Sequence, residues 1–203
     1  MGSITWLLAT RNQGKIKELN AILKPFPIEV VGLDALGIHE EAPETGASFR
    51  ENAMQKARFY WSRNPDRIPV LSDDSGLEVD ALNGMPGIHS SRFGGLKTHE
   101  EKVRYLLGLM SDVPDEYRTA RFSCAATYFD GWRYISAHGT LEGYLAEAPV
   151  GEGGFGYDPI FQVEVGGLTM AQISMEQKNE ISHRGTAFKE LVRGILKLSD
   201  VNV

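Results

Sequence analysis

A single cysteine, Cys124, occurs in 203 residues. That excludes an internal disulfide and fits a reducing compartment. No apolar run approaches the ~20 residues that a membrane-spanning helix needs, and Met1–Thr5 lacks the basic-then-apolar order of a secretory leader. Met1-Gly2 is followed by Trp6 where a myristoylation signal wants Ser or Thr. A cytoplasmic protein without a membrane partner is expected. Cations are also scarce, with 21 Lys and Arg against 27 Asp and Glu and a net charge of −6. General nucleic-acid binders advertise a basic surface, so DNA and RNA are not expected partners. An anionic ligand would have to be held by a local cluster of cations together with a metal.

Hydrophobic residues at 42% and charged residues at 24% are ordinary for a globular chain with a sizeable core. With no internal repeat or low-complexity linker, residues 1–203 read as one domain, either a single body or two lobes around a cleft. The most informative stretch is Ile68–Phe93. Ile68, Val70 and Leu71 predict a short buried strand that stops at Ser72-Asp73-Asp74-Ser75-Gly76. Two adjacent carboxylates at the end of a buried strand repel each other and are costly to desolvate. A hard divalent cation carrying a substrate phosphate resolves both problems. As an isolated motif, Asp-Asp-Ser-Gly reads first as turn formers or caps, and its neighbours reverse that.

Ile4–Ala9 predicts a buried strand running into Thr10-Arg11-Asn12-Gln13-Gly14-Lys15 and then a helix with Ile16, Leu19, Ile22 and Leu23 inward. A strand, a polar loop with glycine and a helix start suit a phosphate, because free N–H groups and the helix dipole both face the ligand. The segment differs from a P-loop: Ala9 and Ile16 stand where the first glycine and the metal-binding Ser or Thr would be. Any metal must therefore be held elsewhere, with Asp73-Asp74 the obvious place. Lys15 and Lys17 would otherwise form a solvated helix face. A second strand, Ile28–Leu33, and an acidic loop, His39–Gly46, follow. Ser48–Glu51 predicts a capping box for a helix with Phe49, Ala53, Ala57 and Tyr60 inward, which explains Glu51 structurally. Glu44 has no such local explanation and could reach the Asp pair. Lys56 lies in that helix, facing either a phosphate or water.

Further along, Thr98–Glu101 predicts a second capping box, with Val103, Leu106, Leu107 and Met110 inward. Arg121–Phe129 and Trp132–His138 flank Asp130-Gly131, a hairpin signal. The alternation of Phe122, Cys124 and Ala126 makes Cys124 a packing residue, and His138 reads as structural. In Gly151–Phe161, glycines flank Phe155, which suits a ring stacking on a nucleobase or, alternatively, a tight turn with the ring in the core. Lys178, His183 and Arg184 gather before the last helix, whose inner face reads Phe188, Leu191, Ile195 and Leu198. Cations near a helix N-terminus oppose its dipole unless an anion or a base carbonyl sits among them.

Four segments, A-T-R-N-Q-G-K, S-D-D-S-G-L with N-G-M-P-G, G-G-F-G-Y-D-P-I-F and I-S-H-R-G, stand in this order between Leu8 and about Leu196. Together they resemble the inosine triphosphate pyrophosphatase family, hydrolases of non-standard purine nucleoside triphosphates. The resemblance implies a mixed α/β fold: a long central mixed β-sheet with flanking helices, two lobes around an active-site cleft, and a homodimer. It implies that Thr10, Arg11, Asn12, Gln13, Gly14 and Lys15 cradle the triphosphate and that Asp74 is general base and Mg²⁺ ligand, with Asp73 beside it. Glu44 would be the second metal ligand, with Glu40 and Glu41 as rivals. Ser75 would touch the substrate. Phe155, Gly156, Tyr157 and Asp158 would line the base pocket, completed by Lys178, His183 and Arg184. The implied reaction takes ITP, dITP or XTP and water to the monophosphate and pyrophosphate, with Lys15 and Mg²⁺ stabilising the leaving group. A donor from Arg184 or the backbone would pair with the C6 carbonyl of hypoxanthine or xanthine and mismatch adenine. A Maf-like pyrophosphatase of pyrimidine or methylated nucleotides, and a nucleotide sensor without catalysis, are the alternatives.

Overall fold

The computed structural model describes residues 4–164 and 166–200; Met1-Gly2 lies outside the described residues. Its strands are β1 (Ile4–Leu8), β2 (Ile28–Gly32), β3 (Val70–Val79), β4 (Thr119–Phe129), β5 (Tyr134–Leu145) and β6 (Phe161–Gln162). Its helices are α1 (Gln13–Leu23), α2 (Phe49–Arg63), α3 (His99–Leu109), α4 (Met175–Ile181) and α5 (His183–Asp200). The strands form a six-stranded sheet in the order β2-β1-β3-β4-β5-β6. β1 pairs parallel with both β2 and β3, whereas β5 and β6 are antiparallel, so the sheet is mixed. This is the expected mixed α/β sheet with flanking helices.

The chain divides into two compact units. Unit 1 comprises the chain up to Asp74, Cys124–Gly139 and everything from Arg184 onward. Its β1 is apolar on both sides because successive side chains alternate between the faces of a sheet. Trp6 and Leu8 pack with Leu71, with Leu19, Ile22 and Leu23 of α1, and with Phe188, Leu191 and Ile195 of α5. Leu7 and Val70 instead join Leu33, Phe129, and Ala57 and Tyr60 of α2. Helices covering both faces explain why the chain is apolar without a break from Trp6 to Ala9.

Unit 2 comprises Ser75–Ser123 and Thr140–His183. Leu77 and Val79 meet Val103, Leu106 and Met110 of α3, Phe122, and Tyr157, Ile160 and Phe161. The buried Arg118 binds this unit together by donating to the carbonyls of Met110, Leu145 and Ala146 at 2.8, 2.9 and 3.1 Å. Its planar fork of N–H groups makes that multiple capping possible.

Several expectations need correction. β3 does not stop at Ser72 but continues through the Asp pair to Val79. It can do so because each carboxylate meets donors on its own side of the strand, as described below. The Ser48 hydroxyl caps α2 at the Glu51 N–H, but the Glu51 carboxylate accepts from the Ala47 N–H and does not close the capping box on Ser48. The box at Thr98–Glu101 is complete. The hairpin turn spans Asp130 to Arg133, with the Asp130 carboxylate accepting from the Trp132 and Arg133 N–H groups, so Trp132 lies in the turn and not in a strand. At the last helix, Leu198 is 46% exposed and leaves the inner face that Phe188, Leu191 and Ile195 define.

Candidate active site

Extended backbone places Asp73 and Asp74 on opposite faces of β3, so these neighbours do not converge on one ion. Asp73 is fully buried. Its Oδ2 accepts from Lys15 Nζ at 2.8 Å and lies 3.4 Å from Arg184 Nε, and the Arg184 guanidinium also pairs with Glu18. Burial pushes the Asp73 carboxyl up, but Lys15 and Arg184 override it and hold it well below the usual carboxylate range. Glu18 and Lys15 lie three residues apart on one face of α1, so α1 supplies both a cation and an anion to one buried quartet. Arg184 is the second residue of α5, and the quartet thereby joins that helix to α1 and β3.

Asp74 faces α2. Its Oδ2 accepts from Asn52 Nδ2 at 2.9 Å, and its Oδ1 lies 3.5 Å from Lys56 Nζ. Lys56 Nζ also reaches Glu44 Oε1 at 2.9 Å. Burial raises the Asp74 pKa, and the lysines offset this only in part. Burial would lower the Lys56 pKa, but Asp74, Asp73 and Glu44 together raise it. Glu44 is therefore the acid that converges with Asp74 on a common cation. Glu40 turns outward to Arg63 and the His39 N–H, and Glu41 is exposed.

The fit to Mg²⁺ rests on the same donor set. Two carboxylates, one of them largely buried, present oxygens to one ammonium, which is a hard-cation arrangement. Among the described residues no group of three or more His, Cys, Asp or Glu is placed to hold a metal. Mg²⁺ is usually held by one or two carboxylates, with waters and substrate phosphates completing its octahedron, so Asp74 and Glu44 fit that ion.

The segment Thr10–Lys15 is less of a loop than expected, because α1 already begins at Gln13 and only Thr10–Asn12 precede it. Asn12 caps α1 by accepting from the Lys15 N–H at 3.2 Å, and Thr10 Oγ1 accepts from the Asn12 N–H. Gln13 and Gly14 form the first turn of α1. The Arg11 guanidinium turns away, donating to the Ile38 and Glu40 carbonyls, with Asp34 3.6 Å from Nε. Arg11 thus ties its loop to the segment after β2. Ser75 continues β3, half-buried.

Unit 2 holds the second group. Gly154 and Gly156 have φ of 69° and 66°, a backbone that L side chains rarely adopt, and a Cβ on Gly154 would collide with the Asp158 carboxylate. The buried Asp158 accepts from the Phe155 N–H at 2.7 Å and pairs with Lys178 of α4. Lys178 Nζ stands 4.9 Å from the centre of the half-buried Phe155 ring. His183 stacks on Phe122, ring centres 4.8 Å apart and planes 14° from parallel. Tyr157 points into the core, its hydroxyl donating to the Ser90 carbonyl at 3.1 Å, and burial raises its pKa.

The structure brings Lys15 to Asp73, Glu44 to Asp74, and Phe155, Asp158 and Lys178 to one another. Arg184 joins the Asp73 group instead of the Phe155 group, because its guanidinium is engaged by Glu18 and Asp73. Sequence reasoning missed Glu18 and Asn52 and left Lys56 undecided. The i to i+4 spacing of Asn52 and Lys56 on α2 was the available signal, since it puts both on one helix face.

A mixed sheet carrying buried carboxylates under lysine control, beside a strand–loop–helix anion motif, defines an α/β protein built to handle a phosphorylated ligand. The Ham1 family model matches residues 6–194, and the chain belongs to the Ham1 family. It is 44% identical over 197 residues to a dITP/XTP pyrophosphatase of Caldanaerobacter subterraneus subsp. tengcongensis, covering 97% of this chain and 98% of that protein. The dITP/XTP pyrophosphatase of Escherichia coli K12 is 43% identical over 190 residues, 92% of this chain and 95% of the relative. Among solved structures, the Ham1 protein of Staphylococcus aureus superposes with a TM-score of 0.82 at 38% identity, covering 96% of this chain and 99% of that one. A HAM1 protein from Coxiella burnetii gives 0.83 at 34% identity, with the same coverage of 96% and 99%.

Proposed function

We propose that this chain is a Mg²⁺-dependent pyrophosphatase of the non-standard purine nucleoside triphosphates dITP, ITP and XTP, releasing the monophosphate and pyrophosphate. The observation that carries the reading is Asp74, a largely buried carboxylate held by Asn52 on one oxygen, with the Lys56–Glu44 pair beside the other. A base of this kind removes a proton from water as the water oxygen attacks the α-phosphorus and the bond to the bridging oxygen of the leaving pyrophosphate breaks. The proton goes to Asp74. Lys56 and Lys15 oppose the negative charge that develops on the phosphates. For Lys15 this means leaving Asp73, whose charge then remains with Arg184. Asp74 and Glu44 would hold Mg²⁺, which neutralises phosphate charge and acts as a Lewis acid when bound.

In the same reading Thr10, Asn12, Gln13 and Gly14 offer backbone and side-chain donors to the triphosphate, and Ser75 a hydroxyl. Phe155 offers a ring to the purine, with Lys178 Nζ 4.9 Å from its centre, and His183 is the other residue of unit 2 assigned to the pocket. Arg11 contributes through its backbone, Asp158 and Tyr157 by fixing the loop, and Arg184 through Asp73. The names of the relatives support the substrate class, and their high coverage supports carrying it over. A homodimer in the cytoplasm completes the proposal; no helix among the described residues is long and apolar enough to cross a membrane. The decisive experiment is a substrate panel of ITP, dITP, XTP, ATP, GTP, dUTP and 5-methyl-UTP with Mg²⁺, reading both products. Turnover confined to pyrimidines, or release of orthophosphate in place of pyrophosphate, would overturn the reading.

A further inference from the structure

Immediately after Glu44, three consecutive backbone N–H groups are captured by side chains of α2. The Thr45 N–H donates to Gln55 Oε1 at 3.1 Å, the Gly46 N–H to Asn52 Oδ1 at 2.8 Å, and the Ala47 N–H to Glu51 Oε2 at 2.8 Å. The loop that carries Glu44 is thus latched to the helix along its length. Of the three latches, Asn52 is the fully buried one, and it alone among them also touches Asp74, donating from Nδ2 at 2.9 Å.

This double engagement fixes the orientation of the amide. A backbone N–H can only donate, so the atom facing Gly46 must be the amide oxygen, and the atom facing Asp74 is then the NH₂ group. Asp74 Oδ2 consequently accepts that hydrogen bond at 2.9 Å, whereas Oδ1 has only the longer 3.5 Å contact to Lys56 Nζ and is the freer of the two for proton transfer. The fit leaves little slack. A Cβ at Gly46 would lie 2.6 Å from Glu51 Cβ and 2.9 Å from Asn52 Oδ1, so the loop can approach Asn52 this closely only because residue 46 is glycine.

We infer that Asn52 is a positioning residue that selects Oδ1 of Asp74 as the reactive oxygen and holds it in register with the Glu44 loop through Gly46. The inference rests on the proposed role of Asp74 as base. It requires that removing the amide act through Asp74 and not through the general stability of α2.

Steady-state and single-turnover ITP hydrolysis of Asn52→Ala, Asn52→Asp, Asp74→Asn and the Asn52→Ala/Asp74→Asn double variant tests it, with thermal melts of each. Outer-sphere partners of this kind are worth ~10–100-fold in activity. Asn52→Ala should lower kcat by that factor with KM for ITP within about threefold. Asn52→Asp keeps the acceptor for Gly46 but loses the donor to Asp74, and should be at least as impaired. Asn52→Ala adds no charge, so it carries the test if Asn52→Asp does not fold. Added to Asp74→Asn, Asn52→Ala should produce less than about a twofold further fall, because both act through one group. A native kcat in Asn52→Ala or Asn52→Asp, or a full multiplicative loss in the double variant, overturns the inference. An undiminished kcat in Asp74→Asn would instead overturn the role of Asp74 itself, so the two failures are distinguishable.

Discussion

Each unit contains a buried lysine–aspartate pair near its proposed working residues, and the two pairs are built differently. In unit 2, Lys178 and Asp158 are both nearly inaccessible, and Asp158 also accepts the Phe155 N–H. That pair is a strut between α4 and a glycine-shaped loop. In unit 1, Asp73 accepts from Lys15 and also lies against Arg184, so the acid keeps a cation when one of the two departs. Asp74 is flanked by an amide and a lysine that it shares with Glu44. A pair whose lysine can leave without stranding its acid suits a site where incoming phosphates compete for cations. A pair fixed to backbone suits a site that must hold one shape.

The sharpest test of this contrast is on Asp74. Asp74→Asn keeps the acceptor for Asn52 but cannot take a proton, and should lower kcat for ITP by ~10²–10⁴-fold while leaving the Kd for ITP within a few-fold. Equal loss of rate and affinity would assign Asp74 to binding instead.

Asp73→Asn should fail in another way. It leaves Lys15 and the buried Arg184 without their shared anion, and breaking a buried pair costs about 3–5 kcal/mol. At this chain length that lowers Tm by about 10 °C. The pH sign is fixed by the direction of the shift. The folded pKa of Asp73 lies below its ordinary 3.8, so its stabilisation is fully present above that value and is lost as pH falls through the folded pKa. The Tm gap between wild type and Asp73→Asn should therefore stay constant from neutral pH down to about 4 and close only below it. A gap that closes between pH 7 and 5 would show that Asp73 is not held down by its cations.

Unit 2 should respond in affinity. Gly154→Ala forces an L side chain to φ of 69° and drives Cβ into Asp158. A distortion of about 1.4 kcal/mol would raise KM for ITP about tenfold, with inhibition by free pyrophosphate unchanged. A parallel loss of pyrophosphate binding would mean that the glycine loop does not separate purine from phosphate recognition.

Much of this was legible in the chain. The apolar strands, the Thr98 cap and the inner face of α1 at Leu19, Ile22 and Leu23 each follow from local chemistry that reads the same in sequence and in space. Failures came where a distant partner decides the outcome. Nothing near Asp73 announces that Lys15 and Arg184, 58 and 111 residues away, will neutralise it, so the strand was ended too early. For the same reason Arg184 was grouped with its sequence neighbour His183, although its buried acid partner is Glu18, 166 residues distant. Asn52 resembles a routine polar position on a capped helix until the fold brings Gly46 and Asp74 to its two ends. Periodicity locates faces, but it does not say which charge waits opposite them.

The smallest effect belongs to Cys124, and it tests whether proximity to the charged quartet means participation in it. Its Sγ lies 4.0 Å from Asp73 Oδ2, close enough to invite a nucleophilic reading. Burial pushes the thiol pKa up to about 12, and the Asp73 charge pushes in the same direction. At neutral pH the sulfur is a protonated, inaccessible, weak donor packed beside Leu71 and Ala126. Cys124→Ser keeps a donor toward Asp73 and should leave kcat within about twofold. Cys124→Ala should do the same at a cost of about 1 kcal/mol from the lost packing. Iodoacetamide should not label the native protein and should label it fully once it is unfolded. If the native protein is alkylated with loss of activity, the sulfur reaches solvent, and the quartet is then more open than Asp73's burial implies.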